Sequence, residues 1–80
     1  MKLPRDLTGF ELARAMGRVG YRVSRQTGSH VRLTLDQAPQ HHVTIPAHQP
    51  LEVGTLAAIL AEVAERLLVD RAELLRRLGF

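Results

Sequence analysis

The sequence predicts an α+β two-layer sandwich in the order α-β-β-β-α, with a short extra helix at the C-terminus. Apolar residues recur at three- and four-residue intervals near both ends of the chain, the mark of amphipathic helices. Between them, from Tyr21 to Ile45, apolar and polar residues alternate, the mark of strands with one buried face. Turn residues separate the alternating runs at short intervals, which joins them as an antiparallel meander.

Each element has its own signal. Thr8-Gly9-Phe10-Glu11 fits a capping box, with Thr8 as N-cap and Glu11 at N3. Leu12, Ala13, Met16 and Val19 continue as an apolar stripe, Gly17 and Gly20 weaken and end the helix, and Gly20 is the expected C-cap. In the first strand Tyr21 and Val23 should face the core, with Arg22 and Ser24 outward. Gln26-Thr27-Gly28 reads as a hairpin turn, Gly28 supplying a positive φ. In the second strand Val31, Leu33 and Leu35 point inward, and His30, Arg32 and Thr34 outward. Asp36-Gln37-Ala38-Pro39-Gln40 is a turn, because Pro39 cannot donate to a central ladder. The third strand is His41 to Ile45, with Val43 and Ile45 inward and His42 and Thr44 outward. After a loop from Pro46 to Pro50, a helix begins near Val53 and carries Leu56, Ile59, Leu60, Val63 and Leu67 on one face. Asp70-Arg71-Ala72-Glu73 reads as a second capping box, Leu74, Leu75 and Leu78 as its apolar face, and Gly79 as its stop.

Helices on one side of the sheet leave the other side open and polar. Arg22, Ser24, His30, Arg32, Thr34, His42 and Thr44 fall on that open face by alternation alone.

Eighty residues make one domain, 1–80, with a modest core. There is no cysteine, so neither a disulfide nor a thiolate metal site supports it. Met1 to Asp6 lacks an apolar leader region, and the longest apolar run, Leu56 to Ala61, is far too short to span a bilayer. The expectation is a cytoplasmic protein. The basic excess lies in the first half, where Lys2, Arg5, Arg14, Arg18, Arg22, Arg25 and Arg32 face only Asp6 and Glu11. That asymmetry favours a polyanionic partner. Arginine outnumbers lysine ten to one, and the guanidinium fork matches phosphate oxygens, although genomic GC bias gives the same preference.

His30 is the main candidate for chemistry. RNA cleavage needs a base for the 2′-hydroxyl proton and an acid for the leaving 5′-oxygen, and imidazole serves both roles near neutral pH. Arginines beside it would hold the scissile phosphate. Gly28 would let a phosphate approach the backbone, and Ser29 would orient His30 or bind the phosphate. The plain alternative is an exposed strand histidine beside an ordinary turn. His41 and His42 are adjacent and point to opposite faces, so they do not make a metal site, and no metal or other cofactor is expected. His42 shares the open face with His30 and is a candidate second acid/base group, with an edge histidine of no role as the plain alternative. His48 lies in the loop before the second helix, on the surface or against the helix start.

Three separated motifs then stand together: Arg25-Gln26-Thr27-Gly28-Ser29-His30-Val31, Val43-Thr44-Ile45-Pro46-Ala47-His48, and Gly54-Thr55-Leu56 with Ile59-Leu60. With the region from about Leu7 to Leu60, this pattern resembles the HicA toxin family, also called YcfA-like. The resemblance implies a double-stranded-RNA-binding-domain-like fold. It implies a toxin of a type II toxin–antitoxin module that cleaves mRNA without the ribosome and is neutralised by a HicB antitoxin covering the active site. By the match, His30 takes the family's catalytic acid/base role, and His48 matches a recurrent histidine of unassigned role. Tyr21 departs from the usual phenylalanine, arginine replaces the common lysine, and Ala64 to Phe80 extends beyond the shortest members.

The sequence therefore predicts a metal-independent endoribonuclease acting on mRNA. His30 is its acid/base group, Gly28 and Ser29 lie at the substrate, and Arg22, Arg25 and Arg32 contact phosphate. The alternative is a non-catalytic RNA-binding module of the same fold. A third possibility is a module that binds only an acidic protein.

Overall fold

The computed structural model describes residues 3–80; Met1 and the basic residue Lys2 lie outside them. Helix α1 (Gly9–Met16) leads through a 3-10 turn (Gly17–Val19) into β1 (Tyr21–Gln26), β2 (His30–Leu35) and β3 (His41–Pro46). Helices α2 (Val53–Leu67) and α3 (Arg71–Leu78) follow. The strands form one antiparallel sheet in the order β1-β2-β3. The predicted α-β-β-β-α layout with an added C-terminal helix is thus the observed one. No helix among the described residues is long and apolar enough to cross a membrane.

The core sits between the sheet and the helices. Val31, Leu33 and Leu35 of β2 and Val43 and Ile45 of β3 meet Leu12 and Met16 of α1 and Leu56, Ile59, Leu60 and Val63 of α2. Leu74, Leu75 and Leu78 of α3 close one end. A part-buried chain runs beneath the helical side: Tyr21 Oη lies 2.6 Å from His41 Nδ1, and His41 Nε2 lies 3.2 Å from Glu62. Tyr21 and His41 both pair with Leu35, so this chain joins the two outer strands across the central one and ties them to α2. Burial raises the Tyr21 hydroxyl above its usual pKa.

The α1 start is the predicted capping box. Thr8 Oγ1 accepts from Glu11 N at 3.2 Å, and Glu11 Oε1 accepts from Thr8 N at 2.9 Å. Its end follows the two glycines. The α-helix stops at Gly17, and the 3-10 turn carries the chain to Gly20, whose φ of 99° turns it into β1. Gly17 propagates a helix poorly, so the last stretch tightens instead of continuing. The α3 box forms only in half. Asp70 accepts from Glu73 N at 2.8 Å, but the Glu73 carboxylate grips Arg76 and Arg77 one turn on. Those two arginines hold it at a pKa of about 2.

Two residues depart from their predicted burial. Val23 is 51% exposed rather than buried, because the helical layer does not cover the edge strand beyond Tyr21. Thr34 is on the predicted face but buried, 2% exposed, because its hydroxyl sits between Ser24 and His42 from the two flanking strands.

The start of α1 touches the exit of β3 directly. Phe10 N donates to Ala47 O at 3.2 Å, and a Cβ on Gly9 would fall 1.7 Å from Pro46 O. Only glycine admits this contact.

Candidate functional site

The open face is built in three rungs across the strands. At one end His30 heads β2, opposite Pro46 of β3. In the middle, Arg25, Arg32 and Thr44 stand abreast. At the far end, Arg22, Thr34 and His42 stand abreast.

Arg25 reaches the middle rung because β1 is bulged. The pairing shifts register between Val23 and Arg25, so Ser24 is the extra residue and Arg25 pairs with Arg32. Strict alternation would send Arg25 to the face of Tyr21 and Val23; the bulge turns it over to the polar side. No residue type in Arg22-Val23-Ser24-Arg25 announces that bulge. Ser24 marks it in the structure by donating its hydroxyl to Arg32 O at 3.2 Å.

Arg25, Thr27, His30, Arg32 and Thr44 line a shallow groove of about 210 Å³. Among the described residues neither Arg25 nor Arg32 has an acidic partner or a side-chain hydrogen bond. Arg22 is different. Its Nε lies 2.6 Å and its Nη2 3.0 Å from the two oxygens of Asp36, a bidentate pair at the far end of the sheet. The arginine holds the Asp36 carboxyl below its usual pKa. The structure therefore does not bring Arg22 to His30, and its charge is already engaged. Alternation predicted its face correctly but not its partner, since Asp36 lies in the following turn.

The His30 ring is oriented by its neighbour. Ser29 Oγ lies 3.0 Å from His30 Nδ1, which leaves Nε2 as the nitrogen open to a ligand. The turn carrying both is clamped from three sides. Thr27 N donates to His30 O at 3.0 Å, and Ala47 N donates to Ser29 O at 3.0 Å. His48 Nε2 donates to Gly28 O while its ring meets the edge of Phe10, centroids 5.2 Å apart. His48 thus has a place that sequence reasoning missed. Eighteen residues separate it from His30, and only the β2–β3 pairing brings its loop beside the turn. Ser29, His30, Pro46, Ala47, His48 and Gln49 line a second depression of about 280 Å³, which His30 shares with the groove.

His42 is not beside His30. The register puts it opposite Thr34, four residues along the sheet from His30, or roughly 13 Å at strand spacing. That is too far for the two rings to act on the same phosphate.

Gly28 also departs from expectation. Its φ is not positive, and a Cβ placed there would meet nothing within 4 Å. The fold alone thus gives no reason for glycine at this position. Gly28→Ala is expected to fold with stability within about 0.5 kcal/mol of the parent, as for a surface change away from special geometry. If the space is kept for a ligand, the same variant should bind RNA more weakly. Thermal melting and an RNA titration together check this.

No group of three or more histidine, aspartate or glutamate side chains gathers as metal ligands among the described residues. A family model described as "HicA toxin of bacterial toxin-antitoxin" matches residues 9–64 of the chain. That match includes the His30 turn, all three strands and most of α2. No curated protein and no solved structure matches the chain.

Proposed function

The chain belongs to the HicA toxin family, and from that premise we propose that it is a metal-independent endoribonuclease that cleaves mRNA with His30 as its acid/base group. As a family member it is the toxin of a toxin–antitoxin system. The observation that carries the finer reading is the His30 ring, fixed through Nδ1 by Ser29 and flanked by two arginines without acidic partners.

The chemistry follows from that arrangement. With Nδ1–H donating to Ser29 Oγ, Nε2 is bare and can take the proton of a ribose 2′-hydroxyl. The 2′-oxygen attacks the adjacent phosphorus, the bond to the 5′-oxygen breaks, and that oxygen takes up a proton from solvent water while His30 later returns its proton to solvent. The products are a 2′,3′-cyclic phosphate and a 5′-hydroxyl. Arg25 and Arg32 hold the phosphate and stabilise its growing negative charge. The open space at Gly28 lets the phosphate approach the turn. A HicB-like antitoxin neutralises the toxin by covering this face.

The test uses purified protein and a defined RNA. Cleavage should persist in excess EDTA and stop when the nucleotide at the cut carries 2′-deoxyribose. Binding without cleavage of any RNA would leave the alternative, a non-catalytic RNA-binding module. Affinity should also fall with salt. Two phosphate contacts on single-stranded RNA give a slope of log K against log salt of about −1.4. Arg32→Ala should reduce that slope by about 0.7, while Arg22→Ala, whose charge Asp36 already occupies, should leave it nearly unchanged. Equal effects from both variants would reject this assignment of phosphate contacts.

A further inference from the structure

The far rung of the open face has a fixed order of protons. Ser24 Oγ lies 3.2 Å from the Arg32 main-chain carbonyl, which can only accept, so the Ser24 hydroxyl donates there. Thr34 Oγ1, 2.7 Å from Ser24 Oγ, must then supply the hydrogen of that contact. The Thr34 hydroxyl proton is now committed, so its oxygen accepts from His42 Nδ1, 2.9 Å away. A chain ending at one carbonyl therefore places the proton of neutral His42 on Nδ1 and leaves Nε2 bare. Thr34, the link that sets this, is the buried polar residue of the described chain, whereas His42 is exposed.

The neighbours define what such an acceptor suits. Arg22 on the same rung is neutralised by Asp36, so this end offers no uncommitted cation for a phosphate. The uncommitted cations stand one rung nearer His30, at Arg25 and Arg32. An RNA strand lying along β2 would thus meet His30 and the two arginines with its backbone, and a bare ring nitrogen beyond them.

We infer that His42 Nε2 accepts a hydrogen bond from a nucleobase N–H of the RNA, making the far rung a base-contact subsite distinct from the cleaved phosphate. This inference rests on the reading of the open face as the RNA surface. It gives His42 a role in substrate selection, in place of the acid/base role its face alone suggested.

The experiment compares His30→Ala with the double variant H30A/H42A, so that cleavage does not disturb binding. Titrated with a mixed-sequence RNA oligonucleotide, the double variant should bind about 3- to 10-fold more weakly, the loss of one hydrogen bond. Titrated with an abasic RNA of the same length, the two proteins should bind alike. Equal affinity for the mixed-sequence RNA, or an equal loss with abasic RNA, overturns the base contact. Nitrogen NMR of His42 at about pH 8.5, where a free imidazole is neutral, should show Nδ1 protonated. A dominant Nε2–H ring overturns the proton order. Thr34→Val removes the link and should shift His42 toward Nε2–H, with a matching loss of affinity for the mixed-sequence RNA; an unmoved tautomer also overturns it. Undiminished cleavage by the single variant H30A would instead refute the His30 mechanism, and the same binding comparison on RNA with 2′-deoxyribose at the cut would still test the base contact.

Discussion

His30→Ala is expected to lower RNA cleavage at least about 100-fold, the lower bound for removing a positioned acid/base group. RNA affinity should stay within about threefold, because in the proposed mechanism Arg25 and Arg32, not the ring, contact the phosphate. His30 is exposed at the head of β2, so its loss should leave folding intact. Expression of the variant should no longer arrest growth. Each part is separately measurable: initial rates on a defined RNA, a binding titration, a thermal melt and a growth curve. Undiminished cleavage by the purified variant would sink the mechanism. Loss of both cleavage and affinity would mean that His30 mainly binds substrate.

The second large effect concerns stability. Gly9→Ala should destabilise the protein by at least about 3 kcal/mol, at the upper end for forced overpacking. In a chain of this size that corresponds to a fall in Tm of roughly 12–24 °C. The cause is local and rigid. The added Cβ would lie 1.7 Å from Pro46 O, 2.7 Å from Pro46 C and 2.9 Å from Ala47 Cα, all main-chain atoms. A side chain could swing away; this backbone cannot, because Phe10 N and Ala47 O are joined across the same contact. Gly54→Ala is the control. Nothing lies within 4 Å of a Cβ there, and the residue is within α2, so the change should stabilise slightly. Similar melting temperatures for G9A and the parent would show that α1 and the β3 exit can separate at little cost.

The elements themselves were legible in the sequence because each rests on a local rule. The Thr8–Glu11 box, the alternation through Val31, Leu33 and Leu35, and the α2 stripe all depend on residues within a few positions of one another. The placement of candidate site residues was legible where face alone decides, as for His30 and Arg32. It was not legible where distant pairing decides. The Arg22–Asp36 bridge, the bulge that turns Arg25 over, the bond from His48 to Gly28 O and the burial of Thr34 all need the register between strands. Gly9 shows the same limit. It reads as an ordinary residue within a capping box, and only the packing of α1 on the β3 exit makes glycine necessary.

The clamp on the Gly28–Ser29 turn bears on how a cell could live with such a protein. Main-chain bonds from Thr27 and Ala47 and the His48 ring hold the turn together without any ligand. The turn that carries His30 is therefore set by the chain's own bonds as it folds. On the proposed reading, a toxin of a toxin–antitoxin pair built this way needs no rearrangement of that turn to act, so its antitoxin has to be at hand when it folds.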